Sequence, residues 1–204
     1  MNNNIEFYMV PSSPWSFLSF NRIEKIAKLY DLKINLIPVD IFQLFKVNGI
    51  KKISQRSISI QKNRLNELQR WRDHLNIDFN IKPKFFPVNP IKSCRAIIAT
   101  SIVYDNEESV ILKLARALSE AVWVKDLNID DNDVILKILE ENVVINKTKN
   151  LYLSNETSSI LKKNTIKAAE QNVFGVPSFV YNESLFWGQD RISFLEKEIK
   201  KLNV

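Results

Sequence analysis

The chain has 204 residues, 45% of them hydrophobic, so it can bury a substantial core and falls outside the disordered class. Its formal net charge is +6, but the lysines are scattered among Asp and Glu with no dense basic block, which points to a generally basic surface and not to a nucleic-acid interface. A single cysteine, Cys94, and a single histidine, His74, exclude an intrachain disulfide and a dithiol mechanism, and argue against a zinc site.

No apolar run approaches the length needed to cross a bilayer, so no membrane partner is expected. The opening MNNNIEFYMV has neither a basic n-region nor a long apolar stretch. A cleaved secretory signal is therefore not expected, and a cytoplasmic location is the default.

In chain order, Ile5–Val10 reads as a short strand. Pro14 suits the first turn of a helix with Ser13 as its cap. The spacing of Phe17, Phe20, Ile23, Ile26, Ala27 and Tyr30 predicts one helix from Pro14 to Tyr30. Lys33–Ile41 alternates like a second strand that must end near Pro38. Strand, helix, strand predicts a right-handed parallel unit. From about Ile41 to Asn172 helical patterns dominate, with candidates at Ile60–Leu75, Pro90–Tyr104, Glu107–Val124, Asp131–Glu141 and Glu156–Asn172. Cys94, within the second of these, reads as a small buried hydrophobe. Phe85 to Pro90 is an extended link. Strand signal returns at Ser178–Tyr181 and Ser184–Trp187, joined through Asn182-Glu183 as a tight hairpin. A last helix is predicted from about Asp190 to Leu202. The order is a small sheet interrupted by a helical insertion.

The chain has three glycines, Gly49, Gly175 and Gly188, and each is expected to serve turn or cap geometry. Gly175 precedes Val176-Pro177. A trans bond there would simply start the strand. A cis bond would instead turn the backbone of Val176 towards an extended peptide ligand.

Several segments carry a resemblance over essentially the whole chain, in order. Ser12-Ser13-Pro14-Trp15-Ser16-Phe17-Leu18 resembles the SSPYSYL-type start of 2-hydroxychromene-2-carboxylate isomerases and kappa-class glutathione transferases. Phe86-Pro87-Val88-Asn89 with Arg95, and Trp123 with Ile129-Asp130-Asp131, are similar to the family's FP-x-N and W…I-x-D segments. The strongest match is Asn164-Thr165, then Val173-Phe174-Gly175-Val176-Pro177-Ser178-Phe179, then Phe186-Trp187-Gly188-Gln189-Asp190-Arg191.

The resemblance implies an α/β, thioredoxin-like fold with a DsbA-like all-helical insertion. Residues 1–42 and 173–204 would form the discontinuous thioredoxin-like domain, and 43–172 the insertion. It also implies a homodimer with glutathione as cofactor. Many thioredoxin-like proteins carry Cys-Pro-x-Cys where this chain has Ser13-Pro14-Trp15-Ser16. The resemblance implies that this corner holds the thiol of glutathione and exchanges no disulfide. A hydroxyl donor at a helix N-terminus stabilises a thiolate by a hydrogen bond and by the helix dipole, and Ser13 is placed for that role. Pro14 and Trp15 would belong to the same cofactor site, with Trp15 either covering it or packing in the core. Ser16 reads as structural.

By the same analogy the main chain of Val176, before Pro177, would pair with the cysteinyl part of glutathione, and Gln189 and Asp190 would hold its γ-glutamyl end. Asn89, Arg95 and Lys46 are candidates for the substrate side. Arg95 could take a carboxylate in bidentate fashion or serve an internal salt bridge. The chain departs from the family twice. Val10 stands where the isomerases commonly carry Asp, and Gly49-Ile50-Lys51-Lys52 replaces a G-N-x-P loop, with Asn48 the nearest stand-in.

The expected function is reversible conversion of 2-hydroxychromene-2-carboxylate to trans-o-hydroxybenzylidenepyruvate, a step of aromatic breakdown. The thiolate would add to the conjugated system. Rotation and elimination would follow, and glutathione would leave unconsumed. Two alternatives stay open. One is a kappa-type transferase, which consumes the thiol. The other is a non-catalytic module binding a peptide along Val176-Pro177.

Overall fold

The structure is a computed structural model that describes residues 3–143 and 145–202. Four strands form one sheet in the order β2-β1-β3-β4. They are β1 (Asn4–Met9), β2 (Lys33–Pro38), β3 (Ser178–Tyr181) and β4 (Ser184–Trp187). β1 pairs parallel to β2 and antiparallel to β3, and β3 pairs antiparallel to β4. The hairpin turn at Asn182-Glu183 has positive φ at both residues, which fits the right-handed twist of the two strands.

The strand period of two decides how the layers stack. Ile5, Phe7 and Met9 enter one core cluster, whereas Tyr8 and Val10 enter another on the opposite side of the sheet. In the first, Phe7 stacks on Phe179 at 5.0 Å between ring centres and meets Phe20 edge-on at 5.5 Å. This cluster continues into Leu114, Leu118 and Trp123 of the helical part and into Leu195 of the last helix. The second cluster gathers Ile37, Leu44, Cys94, Ile98 and Leu161. Cys94 is fully buried there, and burial pushes its thiol pKa up, so it is an inert core residue.

The helix predicted from Pro14 to Tyr30 is two helices, α1 (Pro14–Phe17) and α2 (Phe20–Leu29). The break lies at Leu18-Ser19. The Ser19 hydroxyl donates to Ser16 O at 2.7 Å, an alternative to the helical ladder. The middle of the chain contains α3 (Ile41–Val47), α4 (Ile58–Leu75), α5 (Ile91–Val103), α6 (Glu108–Trp123), α7 (Asn132–Asn142), α8 (Ile145–Leu151) and α9 (Asn155–Glu170). α3 and α8 are seven-residue helices that the periodicity did not reveal. α10 (Ile192–Leu202) closes the chain after a 3-10 turn at Gln189–Arg191.

One ionic cluster ties β1 to α9. The Glu6 carboxylate accepts from Lys167, and the Tyr8 hydroxyl lies 3.0 Å from Glu6 and 2.5 Å from Gln171. Burial alone raises the Glu6 pKa, but hydrogen bonds from Lys167, Gln171 and Tyr8 outweigh it and hold the carboxyl below its ordinary 4.5. A depressed folded-state pKa contributes stability that is complete above the unfolded value and is lost as pH falls through the folded one. Glu6→Gln is therefore expected to be less stable than the parent near neutrality, with the deficit shrinking below about pH 4. Urea unfolding at the two pH values checks it, and a pH-independent deficit would assign the loss to packing.

Candidate active site

The turn between β1 and α1 carries the corner singled out in the sequence. Ser13 N–H donates to Val10 O at 3.0 Å, closing the turn, and Pro14 begins α1. Ser13 is the N-cap of α1, where its hydroxyl accepts from Ser16 N–H at 3.3 Å. The same hydroxyl donates to Val176 O at 3.4 Å. That separation is long for an O–H···O bond, so the hydroxyl proton is loosely held and can be given to a better acceptor.

Ser13 and Val176 both face a cavity of about 990 Å³. Its walls come from the Ser12–Trp15 corner, α3, the loop from Ile50 to Ser57, α4, the Phe86–Asn89 link and the Phe174–Val176 segment. The Val176-Pro177 and Phe86-Pro87 bonds are both cis. Among the described residues the Val176 N–H has no hydrogen-bond partner. A second cavity of about 230 Å³ adjoins the first and shares Trp15, Glu67, Val176 and Trp187 with it. Gly188, Gln189, Asp190 and Arg191 line its other end.

α4 roofs both cavities. Ile60, Asn63, Arg64 and Glu67 recur at helical spacing along the larger one, and Trp71 continues the stripe into the smaller. Ser57 caps this helix by accepting from Ile60 N–H, and Leu68 buries the face turned to the core.

The structure places Ser13, Pro14, Trp15, Val176 and Asn89 on the large cavity, and Gln189 and Asp190 on the small one. Pro177 is buried just behind Val176, its carbonyl accepting from Gly188 N–H at 2.9 Å. Trp15 is half-buried, packing against the core while lining both cavities. Gln189 is 2% exposed, and its side-chain oxygen accepts from Arg22. The Asp190 carboxylate pairs with Arg191 at 2.6 Å and stays partly exposed.

Two of the sequence candidates lie elsewhere. Arg95 donates to Thr157 Oγ1 at 3.2 Å and Ser154 O at 2.7 Å, which ties α5 to the start of α9. Lys46 is exposed on α3 and is not among the cavity residues. Asn48 is also committed elsewhere, its amide donating to Leu44 O at the end of α3.

The cations that do line the large cavity are Lys51, Lys52, Arg56 and Arg64. Arg64 has no motif around it. The one signal that could have found it is its place in the Ile60, Asn63, Arg64, Glu67 stripe, which gives a nominally core-facing position a charge. Val10, at the position where a carboxylate was expected, is 2% exposed, belongs to the cluster of Tyr8, Ile37 and Val39, and also lines the large cavity. A charge there would be desolvated at considerable cost.

The glycines behave differently from one another. Gly188 has φ +98°, and Gly49 has φ +65° just after α3, both left-handed. Gly175 is a close-approach glycine, since a Cβ there would lie 2.7 Å from the indole nitrogen of Trp187. Trp187 is 51% exposed, so its ring can swing away at the small cost of its contact with Phe174, 4.7 Å between ring centres. Gly175→Ala is therefore expected to leave stability nearly unchanged while moving the Trp187 ring off the cavity wall. Tryptophan fluorescence, read against a Trp187→Phe control, checks this. An unchanged spectrum would mean that the backbone yields and the ring does not.

Among the described residues no group of His, Cys, Asp and Glu could hold a metal ion, and no helix is long and apolar enough to cross a membrane. The chain is similar to the 2-hydroxychromene-2-carboxylate isomerase of Pseudomonas putida, at 26% identity over 97% of this chain and 95% of that protein. A solved 2-hydroxychromene-2-carboxylate isomerase superposes with a TM-score of 0.83 at 24% identity, covering 98% of this chain and 95% of the other. The cytosolic disulfide reductase DsbM of Pseudomonas aeruginosa, solved with GSH, superposes with a TM-score of 0.65 at 12% identity over 97% and 99% of the two chains. The shared architecture is thus a thioredoxin-like α/β fold. The model of the DSBA-like thioredoxin domain matches residues 4–200, and the chain belongs to that family.

Proposed function

We propose that the chain is a glutathione-dependent isomerase of the 2-hydroxychromene-2-carboxylate type. The observation that carries this reading is Ser13, a loosely bonded hydroxyl at a helix N-cap on the wall of a large cavity that no cysteine lines. Full-length similarity to proteins named as that isomerase supports it.

The residues present fit glutathione. The unpaired Val176 N–H beside the Val176 carbonyl offers a main-chain edge for the peptide-like part of the ligand. The small cavity beyond Trp15 ends in Asp190, whose carboxylate suits an ammonium. Arg22 fixes the buried Gln189 beside it. Glutathione, when bound, supplies a thiolate that adds reversibly to a conjugated substrate and leaves unconsumed.

The Ser13 hydroxyl turns its hydrogen bond from Val176 O to the sulfur and keeps its proton, while its oxygen goes on accepting from Ser16 N–H. Ser16 is fully buried and outside the cavity, so it supports the corner and does not touch ligand. The apolar walls, among them Phe42, Ile60, Phe86 and Phe174, exclude water from a planar aromatic body.

The test is a glutathione titration by calorimetry, followed by turnover of the chromene carboxylate with free thiol counted before and after. Turnover that requires glutathione and leaves the thiol count constant is the expected result. Stoichiometric thiol loss would make the protein a transferase, and no binding at millimolar glutathione would favour the peptide-binding module. Asp190→Ala is expected to weaken glutathione about tenfold, the usual worth of one hydrogen bond to a charged group. An unchanged affinity would remove Asp190 from the site.

A further inference from the structure

The large cavity has a cationic wall that the glutathione reading leaves unused. The Arg64 guanidinium carbon lies 4.5 Å from the centre of the Phe86 ring and 6.0 Å from that of Trp123. Its Nη2 is buried, and among the described residues the side chain has no hydrogen-bond or ion-pair partner. Burial, reinforced by the nearby Arg56 charge, lowers the Arg64 pKa to about 10, so the group remains charged at neutral pH. Glu67, the acid nearest along α4, is engaged by Arg70.

The other cations of the wall are differently placed. Lys52 and Arg56 lie over Phe42 and Phe45, and Arg56 also donates to Lys51 O. A desolvated guanidinium flanked by two aromatic rings, with a buried unpartnered N–H group and no carboxylate of its own, is an incomplete ion pair. What completes it is an anion brought by the ligand. The surrounding apolar walls require the rest of that ligand to be apolar.

We propose that Arg64 determines the substrate specificity of the cavity by receiving the carboxylate of a planar, otherwise apolar substrate. This deepens the isomerase reading and rests on it, assigning the substrate anion to Arg64 and not to Arg95 or Lys46. Arg95 is spent on α9 and Lys46 lies outside the cavity. Phe86 and Trp123 pack against the guanidinium, so it meets a carboxylate with part of its rotamer freedom already lost.

The experiment compares 2-hydroxycinnamate, a planar aromatic acid, with its uncharged amide as probes. Binding is measured by calorimetry on the full chain, with and without glutathione. The parent protein is expected to prefer the acid by about tenfold or more. Arg64→Gln should abolish that preference while leaving the amide's affinity unchanged. Arg64→Lys should keep part of it, because an ammonium supplies charge without the fork. Melting temperatures check folding, and Arg64→Lys carries the test should Arg64→Gln fail to fold. An undiminished preference in both variants would overturn the proposal, as would a parent that binds neither probe. A matching loss of glutathione affinity would also overturn it, because the guanidinium would then serve the cofactor. The isomerase reading is decided separately, by turnover of the parent protein.

Discussion

Ser13→Ala is expected to lower turnover about 100- to 1,000-fold while leaving a folded, slightly destabilised protein. The first magnitude is that of removing one donor from a site where negative charge must be held. The second follows from Ser13's structural duty, since replacing an N-cap serine by alanine costs about 1 kcal/mol. The two effects separate because they belong to different atoms. The oxygen accepts from Ser16 N–H, and the proton is the one donated to Val176 O at 3.4 Å. Ser13→Gly tells them apart, because glycine caps a helix almost as well as serine but donates nothing. Turnover that falls as far in Ser13→Gly as in Ser13→Ala, with stability recovered, assigns the loss to the hydroxyl. Near-normal turnover in either variant would reduce Ser13 to a cap. Ser13→Cys offers a readout independent of the isomerase assay. A thiol at this N-cap is expected to ionise readily and attack oxidised glutathione, forming a mixed disulfide and releasing one reduced glutathione.

Much of this corner was legible in the sequence because its determinants are local. A proline after a serine at the end of an apolar strand specifies cap and first turn, and α1 starts at Pro14 as the pattern requires. The hairpin from Ser178 to Trp187 was equally readable, since alternation flanking two turn residues leaves few other folds. The break at Leu18-Ser19 was not readable, because it turns on where the Ser19 hydroxyl finds its acceptor. α3 and α8 were missed because each is about two turns long, too short for a helical period to repeat. The site was half legible for a related reason. Ser13 and Val176 lie in motifs, whereas Arg64 becomes a site residue only because α4 lies across the cavity from the Ser12–Trp15 corner and the Phe174–Val176 segment, which are far away in the chain. Arg95 was named from the family resemblance of the Phe86–Asn89 segment, but the carbonyl of Ser154 and the hydroxyl of Thr157, about 60 residues on, take its guanidinium. Spacing places a residue on a helix, and tertiary packing decides which neighbour it meets.

Trp123→Ala is expected to cost about 3–5 kcal/mol, the range for emptying a buried large aromatic site. Against a total of about 5–15 kcal/mol for a typical domain, that is a large share. Trp123 is fully buried at the end of α6, with Phe79 at 6.4 Å and Phe86 at 5.0 Å between ring centres. Its carbonyl accepts from Asn80 N–H at 2.6 Å, and Asp126, three residues on, accepts from the Asn80 amide and from Lys84 N–H. The link from Asn80 to Asn89 is thus fastened to α6 at both backbone and ring. Phe86 and Arg64 lean on the same indole and face the cavity, so the cost does not stay in the core. Emptying the site frees Phe86 to fall inward and removes one of the two rings that flank the Arg64 guanidinium. The expected outcome is a lower urea midpoint together with a weaker preference for an aromatic acid over its amide. Trp123→Phe is expected to lose far less of both, because it keeps an aromatic face and also deletes an indole N–H that has no partner in the described structure. A loss below about 1 kcal/mol in Trp123→Ala would sink the packing argument. A normal acid preference in a strongly destabilised Trp123→Ala would show that Phe86 alone suffices to hold Arg64.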